Sequence, residues 1–170
     1  IYVIAYISIY FTVIFFIALF EFKPYMKNPE SKELPNVTIL VPAYNEEKGI
    51  SRTIESLLEI NYPNDKLQFI LINDGSNDDT VNIMREYQKK NKKLIQVIDK
   101  PNSGKSDSLN QALKYAKGDF IAVLDADAFI PPETLTKMIG YFDHEKVMAV
   151  TPSIKIWKPK SILEHIQYVE

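Results

Sequence analysis

At 170 residues, 46% hydrophobic and 25% charged, the chain is long enough for one domain with a real core and has the make-up of a folded protein. A formal net charge of −2 supplies no electrostatic footprint for nucleic acid, so none is expected as a partner. The absence of cysteine excludes a disulfide framework and a thiolate metal centre, and the two histidines, His144 and His165, stand outside the motifs described below.

Ile1 to Phe20 carries no charge, and its polar groups are Ser8, Thr12 and tyrosines. As a helix rising ~1.5 Å per residue, residues 1–20 would be ~30 Å long, the thickness of a bilayer core. An uninterrupted apolar run of this length is too long for a strand, and no small-residue cleavage site marks it as a signal peptide. It is expected to be a transmembrane helix with the lipid bilayer as its partner. Lys23, Lys27 and Lys32 follow, so the positive-inside rule places the remainder in the cytoplasm, on the inner side of the cell membrane. Residues 21–36, polar and containing Pro24, Pro29 and Pro35, read as a linker.

From Val37 the pattern alternates. Val37 to Pro42 is a β-branched run, a buried strand. Lys48 to Ile60 has Ile50, Ile54, Leu57 and Leu58 at helical spacing. After the turn Tyr62-Pro63-Asn64-Asp65, Leu67 to Ile72 is a second strand. Asp78 to Lys90 is a second helix, with Asp78 and Asp79 suited to its N-terminus. Leu94 to Ile98 is a third strand, and Ser103 to Ala116 a third helix ended by Gly118. Phe120 to Leu124 is a fourth strand, Pro131 to Phe142 a proline-opened helix, and Val147 to Thr151 a fifth strand. This order predicts an α/β sandwich with a mostly parallel sheet across residues 37–170. The chain starts with Ile and stops within a helical pattern, as expected of a piece of a longer protein.

In such sheets ligands bind at the carboxyl ends of the strands. Polar motifs fall there in turn: Pro42-Ala43-Tyr44-Asn45-Glu46-Glu47, Asn73-Asp74-Gly75-Ser76, Asn102-Ser103-Gly104-Lys105 and Asp125-Ala126-Asp127. Like charges crowded at one sheet edge repel, so stability alone does not call for them. Asp125 and Asp127, at i and i+2 of an extended segment, would point the same way and offer oxygen ligands to a hard divalent cation. The Gly-rich alternatives fail. No two glycines stand two apart, so the dinucleotide G-x-G-x-x-G is absent, and the first glycine of a P-loop ending at Gly104-Lys105-Ser106 would fall at Asp99.

With these motifs in this order, and Asn77-Asp78-Asp79-Thr80, Asn110 and Ala112 beside them, the chain resembles the family 2 inverting glycosyltransferases of GT-A fold. The leading apolar helix makes it similar to that family's membrane-embedded hyaluronan, cellulose and poly-N-acetylglucosamine synthases. Val150-Thr151-Pro152, Trp157-Lys158-Pro159-Lys160 and Gln167-Tyr168-Val169-Glu170 resemble the region that follows Asp-x-Asp in those enzymes. The resemblance implies sugar transfer with inversion from a UDP-sugar donor to a growing polysaccharide, a carbohydrate or a lipid-linked acceptor. It implies donor contacts from Pro42, Ala43, Tyr44, Asn45 and Glu46, with Asp74 accepting hydrogen bonds from the uracil edge or ribose. Asp127 would bind Mg²⁺ or Mn²⁺ on the diphosphate. Asp125 would contact the ribose or the metal shell, and Lys105 would add positive charge near the phosphates. Glu46 and Glu47 also read as first-turn carboxylates of the next helix.

An inverting transferase needs a general base. The family carries it in a later acidic motif, and processive members add Gln-x-x-Arg-Trp; neither is present, the only tryptophan being Trp157 and the only arginines Arg52 and Arg85. The catalytic residue is therefore expected outside this chain, which would hold the donor half of the site and show no turnover alone. Two other readings fit the same residues: a polyprenyl-phosphate sugar transferase and a non-catalytic nucleotide-sugar-binding fragment.

Overall fold

The computed structural model describes residues 2–21, 29, 31 and 33–153, and for 18–21 the backbone alone. Most of the expected linker and the stretches around Trp157 and Gln167 lie outside the described residues.

Helix α1 is Tyr2–Glu21. Its apolar side chains are exposed on every side, from Tyr2 and Ile4 to Phe15 and Ile17, and the Thr12 hydroxyl donates to the Ser8 carbonyl within the helix. The part with described side chains, from Tyr2 to Ile17, spans about 24 Å at ~1.5 Å per residue. Among the described residues no helix is long and apolar enough to cross a membrane.

Among the described residues the domain is built on four parallel strands, β1 (Val37–Ala43), β2 (Leu67–Asp74), β3 (Ile95–Lys100) and β4 (Phe120–Val123), in the order β3-β2-β1-β4. Every residue from Val37 to Val41 and from Phe69 to Asp74 is buried, so both faces of these strands are covered. Such strands read as continuous apolar runs rather than alternating ones. One face packs Val37, Ile39, Val41, Phe69 and Leu71 against α2 (Ile50–Leu58), α3 (Thr80–Lys90) and α5 (Thr134–Ile139) through Ile50, Ile54, Leu57, Met84, Leu135 and Ile139. The other packs Leu40, Ile70 and Ile72 against α4 (Lys105–Leu113) through Ala112 and Leu109. Helix α2, leaving β1, and helix α4, leading into β4, thus lie on opposite faces, and the neighbouring ends of β1 and β4 form the switch point where open parallel sheets bind ligands.

Gly118 lets the chain enter β4 against β1. A Cβ there would lie 2.5 Å from the Thr38 nitrogen and 2.8 Å from the Phe120 oxygen and Val37 carbonyl carbon. Backbone on both sides cannot yield to it. Gly118→Ala is expected to destabilise the domain by about 1–3 kcal/mol, read as a lowered urea midpoint at unchanged slope.

The structure corrects several expected elements. The fifth strand is absent: Val147 to Thr151 is unpaired. Its partly covered residues are Val147 and Val150, three apart rather than two, and Met148 is 87% exposed. Together with Val150, Thr151 and Pro152, β4 and α5 line a cavity of about 270 Å³. The fourth helix is Thr134–Ile139 followed by a 3-10 turn, Gly140–Asp143, because Pro132 turns Pro131 away from helical dihedrals. Helix α4 starts at Lys105, not Ser103, since Gly104 has φ +93° and ψ 160°. Its last turn, to Ala116, tightens into i→i+3 bonds.

Candidate functional site

The loops after β1 and β2 are stapled to each other. Asn45 stands at φ 56°, a left-handed conformation that asparagine tolerates better than most residues. Its N–H donates to Ser76 Oγ (3.0 Å), and its Oδ1 accepts from the Asn77 N–H (2.9 Å). The Glu46 N–H donates to Thr80 Oγ1 (2.9 Å) and the Glu47 N–H to Asp78 Oδ2 (3.1 Å), while Glu47 Oε2 accepts from the Asp79 N–H (3.3 Å). Burial alone would raise the Asp78 carboxyl. Hydrogen bonds from the Thr80 hydroxyl and the Glu47 and Thr80 N–H groups outweigh it and hold the group below the usual carboxylate range. Glu47 therefore ties two loops and is not a first-turn carboxylate, for α2 begins only at Ile50. Pro42 is half-buried and Ala43 buried, whereas Tyr44, just past the strand end, is 48% exposed.

Asp74 ends β2 with only 4% of its surface exposed. Its register partner on β3 is Lys100, whose Nζ donates to Asp74 Oδ1 and to Ser103 Oγ. The Ser103 N–H also donates to Oδ1 and the Gly104 N–H to Oδ2, each at 2.9 Å. Burial pushes this carboxyl up, but the bonds from Lys100, the two N–H groups and Ser108 prevail and hold it below the ordinary value. Asp74, expected to meet a base or ribose, here faces the loop Pro101–Gly104 and fixes it. Gly75 allows that approach: at φ +70°, a Cβ on it would lie 2.5 Å from the Asn102 nitrogen. Beside this pair, Asn73 Nδ2 donates to Asp99 Oδ1 (2.7 Å), and Arg85 pairs with Asp99 Oδ2 (2.6 Å).

Asp125 and Asp127 do not continue β4. They stand across a turn closed by the Ala128 N–H donating to the Asp125 carbonyl (3.1 Å). Both are exposed, on either side of buried Ala126. The turn is held by Thr53 of α2, whose Oγ1 lies 2.7 Å from the Ala126 carbonyl oxygen and 2.9 Å from that of Ala128. Lys105, at the start of α4, pairs its Nζ with Asp125 Oδ1 at 2.5 Å. Among the described residues no three histidine or acidic side chains converge as a metal cage. Two exposed carboxylates suit Mg²⁺ or Mn²⁺, which takes one or two protein carboxylates and completes its shell with substrate phosphates and water.

Thr53 and Lys100 escaped the sequence reading. Neither lies in a motif, and what identifies them is packing of α2 on the Asp125 turn and the β2–β3 register. Thr53→Val keeps the shape and removes the hydroxyl from the buried Ala126 carbonyl and the half-buried Ala128 carbonyl. It is expected to cost about 1–3 kcal/mol and to weaken any ligand that depends on Asp125 and Asp127, measured by urea denaturation and calorimetry.

Fold and site together define a parallel-sheet α/β domain with two exposed carboxylates on a turn at its switch point. The chain belongs to glycosyl transferase family 2, whose model matches residues 38–167. It is 37% identical over 131 residues to a probable glycosyltransferase, YdaM, of Bacillus subtilis (strain 168), covering 74% of this chain and 31% of that protein. It is 37% identical over 139 residues to the poly-beta-1,6-N-acetyl-D-glucosamine synthase of Staphylococcus aureus (strain COL), covering 81% of this chain and 33% of that protein. The chain thus spans about a third of the length of these curated relatives. Among solved structures, the mannosyltransferase PcManGT from Pyrobaculum calidifontis in complex with GDP-Man and Mn²⁺ superposes with a TM-score of 0.68 at 29% identity, over 74% of this chain and 37% of that one. S. aureus TarS 1-349 in complex with UDP-GlcNAc does so with a TM-score of 0.58 at 32% identity, over 64% of this chain and 31% of that one.

Proposed function

We propose that this chain is the donor-binding part of a membrane-anchored glycosyltransferase. It transfers a sugar from a UDP-sugar to a growing polysaccharide or another acceptor, with inversion. The observation that carries the reading is the Asp125–Asp127 turn at the β1–β4 switch point, beside the stapled Tyr44–Glu46 loop. In this reading the Tyr44 ring covers the base, and the backbone of Pro42 to Glu46 lines the nucleoside. Asp74 acts through the Asn102–Gly104 loop it fixes. Asp127 and Asp125 hold a divalent cation, which supplies positive charge to the leaving diphosphate. Support for the donor and the metal comes from the neighbours solved with UDP-GlcNAc and with GDP-Man and Mn²⁺. The GT-A domain extends through residues 37–170, with the general base supplied from outside them.

The membrane anchor in this proposal is residues 1–20. A helix apolar all round, whose Thr12 hydroxyl donates to the Ser8 carbonyl within the helix, suits lipid. The lysines after it orient the domain to the cytoplasm. The test is release of UDP from UDP-sugars by the full-length protein in membranes with Mn²⁺ and acceptor. Turnover with a UDP-sugar that disappears in Asp127→Asn is expected; turnover indifferent to Asp127 and to metal contradicts the reading.

A further inference from the structure

Lys105 and Asp125 are separated by 20 residues and belong to different elements, yet their charged atoms meet at 2.5 Å, with side chains 58% and 60% exposed. The contact occupies one carboxylate of the pair assigned above to the metal. We infer that Lys105 is an internal counter-cation for Asp125, displaced when a divalent cation arrives together with a diphosphate, so that nucleotide and metal bind as a coupled pair. The inference rests on the donor-site reading above and adds the coupling to it.

Two observations carry the exchange. First, the turn offers two carboxylates and no third acidic or imidazole ligand converges on them among the described residues. A cation without a nucleotide must therefore complete its shell with water and remains weakly held. Against so weak a competitor, an ammonium already seated on Asp125 is effective. Second, the exchange needs no backbone movement. The Ser103 and Gly104 N–H groups immediately before Lys105 are pinned on buried Asp74, so the start of α4 stays in place while the exposed lysine side chain rotates. A released ammonium at a helix start then stands where a diphosphate is favoured, since the unpaired N–H groups there attract anions. An exposed ion pair of this kind biases an equilibrium about two- to fivefold, enough to couple two ligands and weak enough to open.

Calorimetry on the full-length protein tests this, with MnCl₂ alone and then with UDP at saturating Mn²⁺, on wild type, Lys105→Met, Lys105→Arg and Lys137→Met. The last removes an exposed cation paired with Glu133 in α5, away from the crevice. Lys105→Met is expected to bind Mn²⁺ alone about two- to fivefold more tightly and to bind UDP about threefold or more weakly. Lys105→Arg and Lys137→Met should behave as wild type toward Mn²⁺. If wild type binds UDP in a Mn²⁺-dependent way but Lys105→Met leaves Mn²⁺ affinity unchanged, or tightens Mn²⁺ and UDP alike, the exchange is refuted and the donor site stands. If wild type binds neither, the donor-site reading fails and the exchange with it.

Discussion

Asp74→Ala is expected to lower the unfolding free energy by about 3–5 kcal/mol, the cost of leaving a buried ammonium without its counter-charge. Lys100 is 8% exposed, and its other neighbours are the hydroxyls of Ser103 and Ser108 and, at 3.6 Å, the outlying carboxylate of Asp107. The Ser103 and Gly104 N–H groups lose their acceptor at the same time. Equilibrium urea denaturation measures the loss. Asp74→Asn separates charge from shape, because its amide can still accept one bond. The pH dependence follows from the same group. The Asp74 carboxyl is held below its ordinary value in the folded protein, so the stability it contributes is fully present above the unfolded-state value of about 3.9. It is lost as pH falls from there through the lower folded value. Wild type should lose stability over that acidic window, and Asp74→Asn should lose less there while being weaker at neutral pH. A variant as stable as wild type at pH 7 contradicts the strut role. UDP affinity should fall together with stability, since the loop leading to Lys105 is no longer fixed.

Asp127→Asn is expected to weaken UDP binding in the presence of Mn²⁺ by at least ~10- to 100-fold, the loss typical when even an outer partner of a metal ligand is removed. Stability should hardly change, because Asp127 is exposed and makes no bond within the described turn that its amide could not keep. UDP affinity without metal should be unchanged. That split separates a metal ligand from a folding residue, and thermal melts beside calorimetry read both. An equal loss with and without Mn²⁺ would move Asp127 from the metal to the nucleoside.

How much of this was legible in the sequence depends on the physics that fixes each part. Strands β1 and β2 were, because burial on both faces demands the apolar runs Val37 to Val41 and Phe69 to Ile72. Placing the four motifs at strand ends follows from strand and helix alternation alone. The register did not show. That Asp74 lies beside Lys100, and Asn73 beside Asp99, gives Asp74 a strut role that was not expected of it, and no local pattern encodes which strands are neighbours. Element boundaries at the motifs slipped for a related reason. Left-handed Asn45, Gly75 and Gly104 and the side-chain staples between loops decide where α2 and α4 begin, against their helical periodicity. The expected fifth strand failed because a short apolar run does not say whether a neighbouring strand will cover it: Val147 to Thr151 pairs with none, and Met148, Ala149 and Thr151 are exposed.

In the proposed function the β1–β4 crevice binds a nucleoside diphosphate through a metal held by the Asp125–Asp127 turn. Titration of UDP into the wild-type, full-length protein, once with Mn²⁺ and once with EDTA, tests it most directly. Saturable one-site binding is expected with Mn²⁺, weakening at least ~10-fold with EDTA, a difference of about 1.4 kcal/mol. Equal affinity under both conditions would contradict it.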